Sequence, residues 1–182
     1  MLTRQPDDLG EWLADGAAFE AAGAAALCID VAPEPELDPL ALTAALAAVT
    51  FRSLLITSLP AAGSPAIART LGTIDQLSRG RLRVLADDLP SGELAGIALR
   101  LGAFRRVSQD PEVFEHTHAP AEAERWISVP SPDSRAAWRQ TLLDASGRGP
   151  GGLLVPAGPR LLDILRNPDD QGGRHDLRLA QG

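Results

Sequence analysis

Residues 64–86, SPAIARTLGTIDQLSRGRLRVLA, constrain the fold of this chain more than any other stretch. Ser64 followed by Pro65 opens a helix: the hydroxyl caps free N–H groups, and proline sits where no donor is needed. Ile67, Leu71, Ile74 and Leu77 recur at steps of three and four residues, so one side of the helix is apolar. Ser78-Arg79-Gly80 ends it, with glycine where a left-handed residue is usually required. Leu82, Val84 and Leu85 then predict a short buried strand that closes at Ala86, ahead of Asp87 and Asp88. By spacing alone this is a generic helix–turn–strand unit of an α/β protein.

The preceding sequence repeats that alternation. Residues 8–22 predict a helix with Leu9, Trp12, Leu13 and Phe19 inward and Asp15 and Glu20 outward. Residues 24–31 are almost continuously apolar, the pattern of a parallel strand covered on both faces. Asp38 caps and Pro39 starts a second helix carrying Leu40, Leu42 and Leu46, and residues 53–59 give a second strand. The order αβαβαβ calls for right-handed parallel crossovers. Beyond Asp88 the expected elements are a helix at 91–101, a strand at 104–107 and a proline-punctuated irregular stretch at 109–123. A strand at 126–129 and a helix at 132–146 follow, the helix with Ala137, Trp138, Leu142 and Leu143 inward. The chain closes with a strand at 153–155 and a helix at 160–166. Residues 1–166 thus read as a single domain, and 167–182 as a polar, glycine-containing tail.

Composition narrows the classes of function. The chain of 182 residues suits one well-buried domain and is short for two. Its formal net charge is −7, and residues 1–50 carry nine Asp/Glu against Arg4 alone. That balance disfavours a nucleic-acid partner, which needs a basic surface for backbone phosphates. The lone Cys28 permits no disulfide within the chain, which suits a reducing cytoplasm. An acidic, polar start and the lack of any apolar run near ~20 residues argue against export and membrane insertion.

The letters of residues 64–86 go beyond spacing. Ala68-Arg69, Ile74-Asp75-Gln76-Leu77-Ser78 and Gly80-Arg81 resemble the helix–turn–strand signature of the luciferase-like flavin monooxygenases, a superfamily that includes the deazaflavin-dependent reductases. Ala22-Gly23, a strand closing on Asp30, Asp38-Pro39-Leu40 and Ala47-Ala48-Val49-Thr50 are similar to that family too, so the resemblance spans residues 19–84. The last unit, ending in Leu165-Arg166, resembles the close of such a barrel. A full eight-stranded barrel takes ~250 residues, with ~200 as a floor. The resemblance therefore implies a truncated or incomplete TIM-like (β/α) barrel with mainly parallel strands, lacking an obvious first strand.

It also implies a flavin- or deazaflavin-dependent oxidoreductase of monooxygenase type, acting on a small organic substrate. FMN or deazaflavin would lie over the strand ends at Asp30, Thr57 and Ser58. Phosphate would sit at Ala157, Gly158 and Arg160, where a strand gives way to a helix whose free N–H groups can hold an anion. The residues permit plainer roles as well: a cap for Asp30, a turn for Thr57 and Ser58, a Pro-Gly turn at 156–160. Many family members have Gly-x-Gly where Leu85-Ala86-Asp87 stands here, and Asp87 and Asp88 would repel an anionic cofactor. Weak or absent cofactor binding follows, and with it an alternative reading as a non-catalytic homologue, a binding or assembly subunit. In either case an incomplete barrel calls for cover by a second copy or a partner subunit. His116 and His118 form an H-x-H pair without a third ligand at supporting spacing, so no metal site is expected. No Gly-x-Ser-x-Gly elbow, phosphate-binding loop or CxxC pair assigns a catalytic residue.

Overall fold

The computed structural model describes residues 2, 8–29, 37–59, 64–86, 93–118, 123–147, 149 and 151–168. The first half alternates as expected: α1 (Leu9–Ala21), β1 (Ala26–Ile29), α2 (Pro39–Val49), β2 (Leu54–Ser58), α3 (Pro65–Leu77) and β3 (Leu82–Ala86). Then come α4 (Glu93–Leu101), β4 (Ala103–Gln109), β5 (Glu112–Thr117), β6 (Glu124–Ser128), α5 (Arg135–Ser146), β7 (Gly152–Leu154) and α6 (Pro159–Arg166). Helix starts follow the sequence signals: the side chains of Asp8, Asp38, Ser64 and Ser134 each accept an N–H of the first turn. After α3 the chain turns through Arg79 and Gly80, both at positive φ, and the Gly80 N–H donates to the Asp75 carbonyl.

Seven strands lie side by side in sequence order in one sheet. β1 to β4 pair in parallel, β5 runs antiparallel to β4 and to β6, and β7 is parallel to β6. All strands but β5 therefore point the same way. The sheet curls until its two ends nearly meet, giving an α/β architecture close to a closed barrel. Leu2 adds a single parallel bridge to Ile29, a rudiment of a strand ahead of the first helix where the sequence suggested none.

Alternation along the strands separates two environments. Leu27, Ile29 and Leu55 pack outward with Trp12, Phe19, Leu42, Leu46, Leu161 and Leu162. Leu82, Val84 and Ala103 pack outward against α3 and α4 through Leu71, Ile74 and Leu94. The opposite side, the lumen, is filled by Cys28, Ile56, Phe104, Phe114, Trp126 and Leu154. Phe104 and Trp126 meet edge to face at 5.2 Å.

Three expectations are corrected. Residues 109–123, read as irregular, contain β5 and part of a hairpin with β4. Its period was hidden because Val113, Phe114 and His116 are buried without strict alternation, and Glu112 and Glu115 pair with Arg106 and Arg105. On α5, Ala137, Leu142 and Leu143 point to solvent rather than inward, and only Trp138 among those four leans on the core. Leu77, at the end of the α3 stripe, is likewise exposed.

The third correction matters most. Glu20, read as outward, is buried at the end of α1. Its carboxylate accepts the backbone N–H groups of Phe51, Arg52 and Ser53 at 2.8, 2.7 and 2.7 Å. These amides precede β2 and need an acceptor that the sheet does not supply. Arg81 holds the same turn from the other side: Nη2 donates to the Thr50 carbonyl, Nη1 to the Ser53 carbonyl, and Nε to the Ser78 carbonyl. Burial pushes the Glu20 carboxyl up, but the three amides outweigh it and hold the group below its ordinary 4.5.

Glu20→Ala strands three amides, each costing ~1–3 kcal/mol. We expect a loss of about 3 kcal/mol, and a melting temperature lower by roughly 6–12 °C at this chain length. Because the folded pKa is depressed, the stabilisation is full above pH 4.5 and is lost as pH falls below it through the folded value. Thermal melts of the wild type and the variant should therefore converge in acid.

Candidate functional site

The carboxyl ends of β1 to β4, β6 and β7 share one end of the barrel, where ligands gather in parallel α/β folds. Of the residues expected there, Asp30, Asp87 and Asp88 lie outside the described set. Ser58 follows Ile56 by two and shares its lumen side, half-buried at the end of β2. Thr57 shares the side of Leu55 and pairs with Ile29 and Val84, both of which pack toward helices. Its hydroxyl is buried with no hydrogen-bond partner among the described residues. A ligand over the mouth of the barrel thus meets Ser58, while Thr57 packs beneath the helical layer.

Ala157, Gly158 and Arg160 stand at the same end, after β7. Gly158 is the N-cap of α6 and offers no side chain to the helix, so the first-turn N–H groups lack a side-chain cap. Arg160 is exposed and lies 3.6 Å from Asp133, leaving its guanidinium facing water. Ser58 and the α6 turn thus share one rim, on either side of β1 and of the opening between β1 and β7.

At the two ends of the sheet a cavity of about 470 Å³ opens between β1 and β7. It is lined by Leu2, Phe19, Trp126, Trp138, Leu153 and Leu161, among others, and is mainly apolar. This is the space a further strand would occupy in a closed barrel.

The opposite rim holds a polar group that the sequence reading only partly found. Arg83, the second residue of β3, projects into the lumen beside β2's Ile56 and is 8% exposed. Its Nη1 donates to the Gly80 and Leu82 carbonyls. His116 of β5 stacks on Phe104 at 4.3 Å, with Nδ1 3.7 Å from a Glu124 carboxylate oxygen. Desolvation, then the charge of Arg83, lowers the His116 pKa below its ordinary 6.5, against a smaller opposing pull from Glu124. His118 lies across Gly102 from Arg83: a Cβ at Gly102 would fall 2.9 Å from Arg83 Cδ and 3.0 Å from His118 Nδ1. The H-x-H spacing was the one legible signal here. Arg83 gave none, being one arginine among many in a lysine-free chain.

Among the described residues no group of three His, Cys, Asp or Glu is placed to hold a metal ion. None of their helices is long and apolar enough to cross a membrane. Compared with known proteins, the chain matches no family model and no curated protein.

The neutral form of His116, stacked on Phe104, is thus favoured by burial and by the charge of Arg83. With its folded pKa depressed, it favours the folded state fully above pH 6.5 and less as pH falls through the folded value. Glu124→Gln removes the carboxylate that props the imidazolium. We expect the His116 pKa to fall further, read from its ring C–H shifts in an NMR titration.

Proposed function

We propose that the protein is a shortened luciferase-like oxidoreductase that binds FMN or a deazaflavin at the carboxyl-end rim of its barrel. What carries this reading is that the segment resembling the family folds as three successive parallel units whose strand ends converge on one rim. Ser58 and the uncapped α6 turn of Ala157, Gly158 and Arg160 supply polar groups there. The ring of the cofactor would rest over the ends of β1 and β2, and its phosphate against the first N–H groups of α6, with Arg160 assisting. The cofactor would supply hydride or oxygen chemistry to a small organic substrate, and the protein positioning and exclusion of water.

A second reading, a non-catalytic homologue serving as a binding or assembly subunit, is favoured by one observation: the open, apolar seam between β1 and β7. Exposed Leu142 and Leu143 on α5, near that seam, suit a homodimer or a partner subunit that covers it.

Titration with FMN and with a deazaflavin, followed by fluorescence, separates the readings. The oxidoreductase predicts saturable binding with a dissociation constant on the order of micromolar or weaker, about −8 kcal/mol at best. Arg160→Ala should weaken it several-fold without lowering the melting temperature. No saturation by either compound at millimolar concentration leaves the subunit reading, which light scattering then tests: it predicts a dimer or larger assembly rather than a monomer.

A further inference from the structure

Arg83 is a charge in the wrong place for a lone cation. It is more than nine-tenths buried, yet no carboxylate among the described residues lies within ion-pair distance of its guanidinium. Asp75 on α3 acts on it only at longer range. Two backbone carbonyls take Nη1, and Nε has no partner among the described residues. His116 Nε2 and His118 Nδ1 are also buried without partners among them. Three unsatisfied nitrogens gathered at one rim are unusual, since each buried polar group normally finds a hydrogen bond. A buried cation normally finds a counter-charge.

We propose that Arg83, His116 and His118 form a site for a compact oxyanion, a phosphate group, at the amino-end rim of the barrel. The chemistry of the three groups selects it. Arg83 Nε–H donates to a charged oxygen and supplies the missing charge balance. Each imidazole presents one unpartnered nitrogen, and an imidazole nitrogen donates or accepts according to its protonation. Phosphate near neutral pH has both charged oxygens and a P–O–H, so it can satisfy either arrangement. Gly102, at φ +86°, brings backbone close between Arg83 and His118, where any larger residue would push them apart. Glu124 does not fill the role itself: its carboxylate sits on the Nδ1 side of His116, near the Trp126 indole N–H, and is half-exposed. The site is distinct from the α6 turn, which stands at the other end of the strands.

The chain carries three histidines, so ring C–H signals in a ¹H–¹³C spectrum report the site directly. Inorganic phosphate is titrated at constant ionic strength, with chloride as the reference salt and glycerol phosphate as a parallel arm. The expected result is a saturable shift of the His116 and His118 signals and a rise in the His116 pKa, since a bound anion offsets the charge of Arg83 and acts in the same direction as Glu124, against His118. Free N-acetylhistidine added to the sample serves as the reference. Arg83→Gln should weaken binding at least about tenfold, the loss of one charge-assisted bond. Saturation by phosphate alone assigns the site to the free ion, and saturation by both compounds to a phosphoryl group on a larger ligand. The proposal is overturned if His116 and His118 stay still, or drift linearly alongside the free N-acetylhistidine. Should Arg83→Gln fail to fold, His118→Gln, at a half-exposed position, must weaken binding while leaving the far-ultraviolet spectrum unchanged; unaltered affinity overturns the proposal equally.

Discussion

The carboxylate of Glu20 at the end of α1 is the contact on which the rest of the architecture depends. It gathers the three amides of residues 51–53, while Arg81 gathers the carbonyls of Thr50 and Ser53. The Ser53 hydroxyl adds a bond to the Ala24 carbonyl. One turn is thereby tied to the first helix, to the start of β1 and to the start of β3. Register follows: the Leu54 N–H reaches the Ala25 carbonyl, and the Leu55 N–H reaches the Arg81 carbonyl. A one-residue slip would turn Ile56 away from the lumen and Leu55 into it, so fixing this register fixes both cores.

The consequence is a division of labour between the two rims. At the amino end of the parallel strands, backbone groups are bound by ionised side chains with short, charge-assisted bonds. At the carboxyl end, Ser58 and the Gly158 turn carry no such ties among the described residues. Arg83 breaks the pattern. It sits at the well-anchored rim, buried, and ties down only its own turn.

The parallel half was legible in the sequence because each of its signals is local. Asp38-Pro39 and Ser64-Pro65 start helices, Gly80 turns the chain, and apolar runs mark strands that are covered on both faces. Glu20 was not legible, since a carboxylate among alanines on a helix looks like a solvated residue. Its partners lie more than thirty residues away along the chain. The β4–β5 hairpin was missed for a related reason: its charged residues pair across strands, and no helix-type period or continuous apolar run betrays it. Leu142 and Leu143 misled in the opposite direction, because helical spacing of leucines predicts a covered face only if something covers it. The candidate site was half-legible: the H-x-H spacing of His116 and His118 could be read, and Arg83 became visible only through its burial and the absence of a facing carboxylate among the described residues.

Native-state hydrogen exchange tests the central role of the Glu20 and Arg81 contacts most directly. If they organise the sheet, the amides of Phe51, Arg52 and Ser53 will exchange as slowly as those of β2 and β3, and only through global unfolding. Rapid exchange of these three amides through local opening, with β5 and β6 forming the most protected unit instead, would contradict the account.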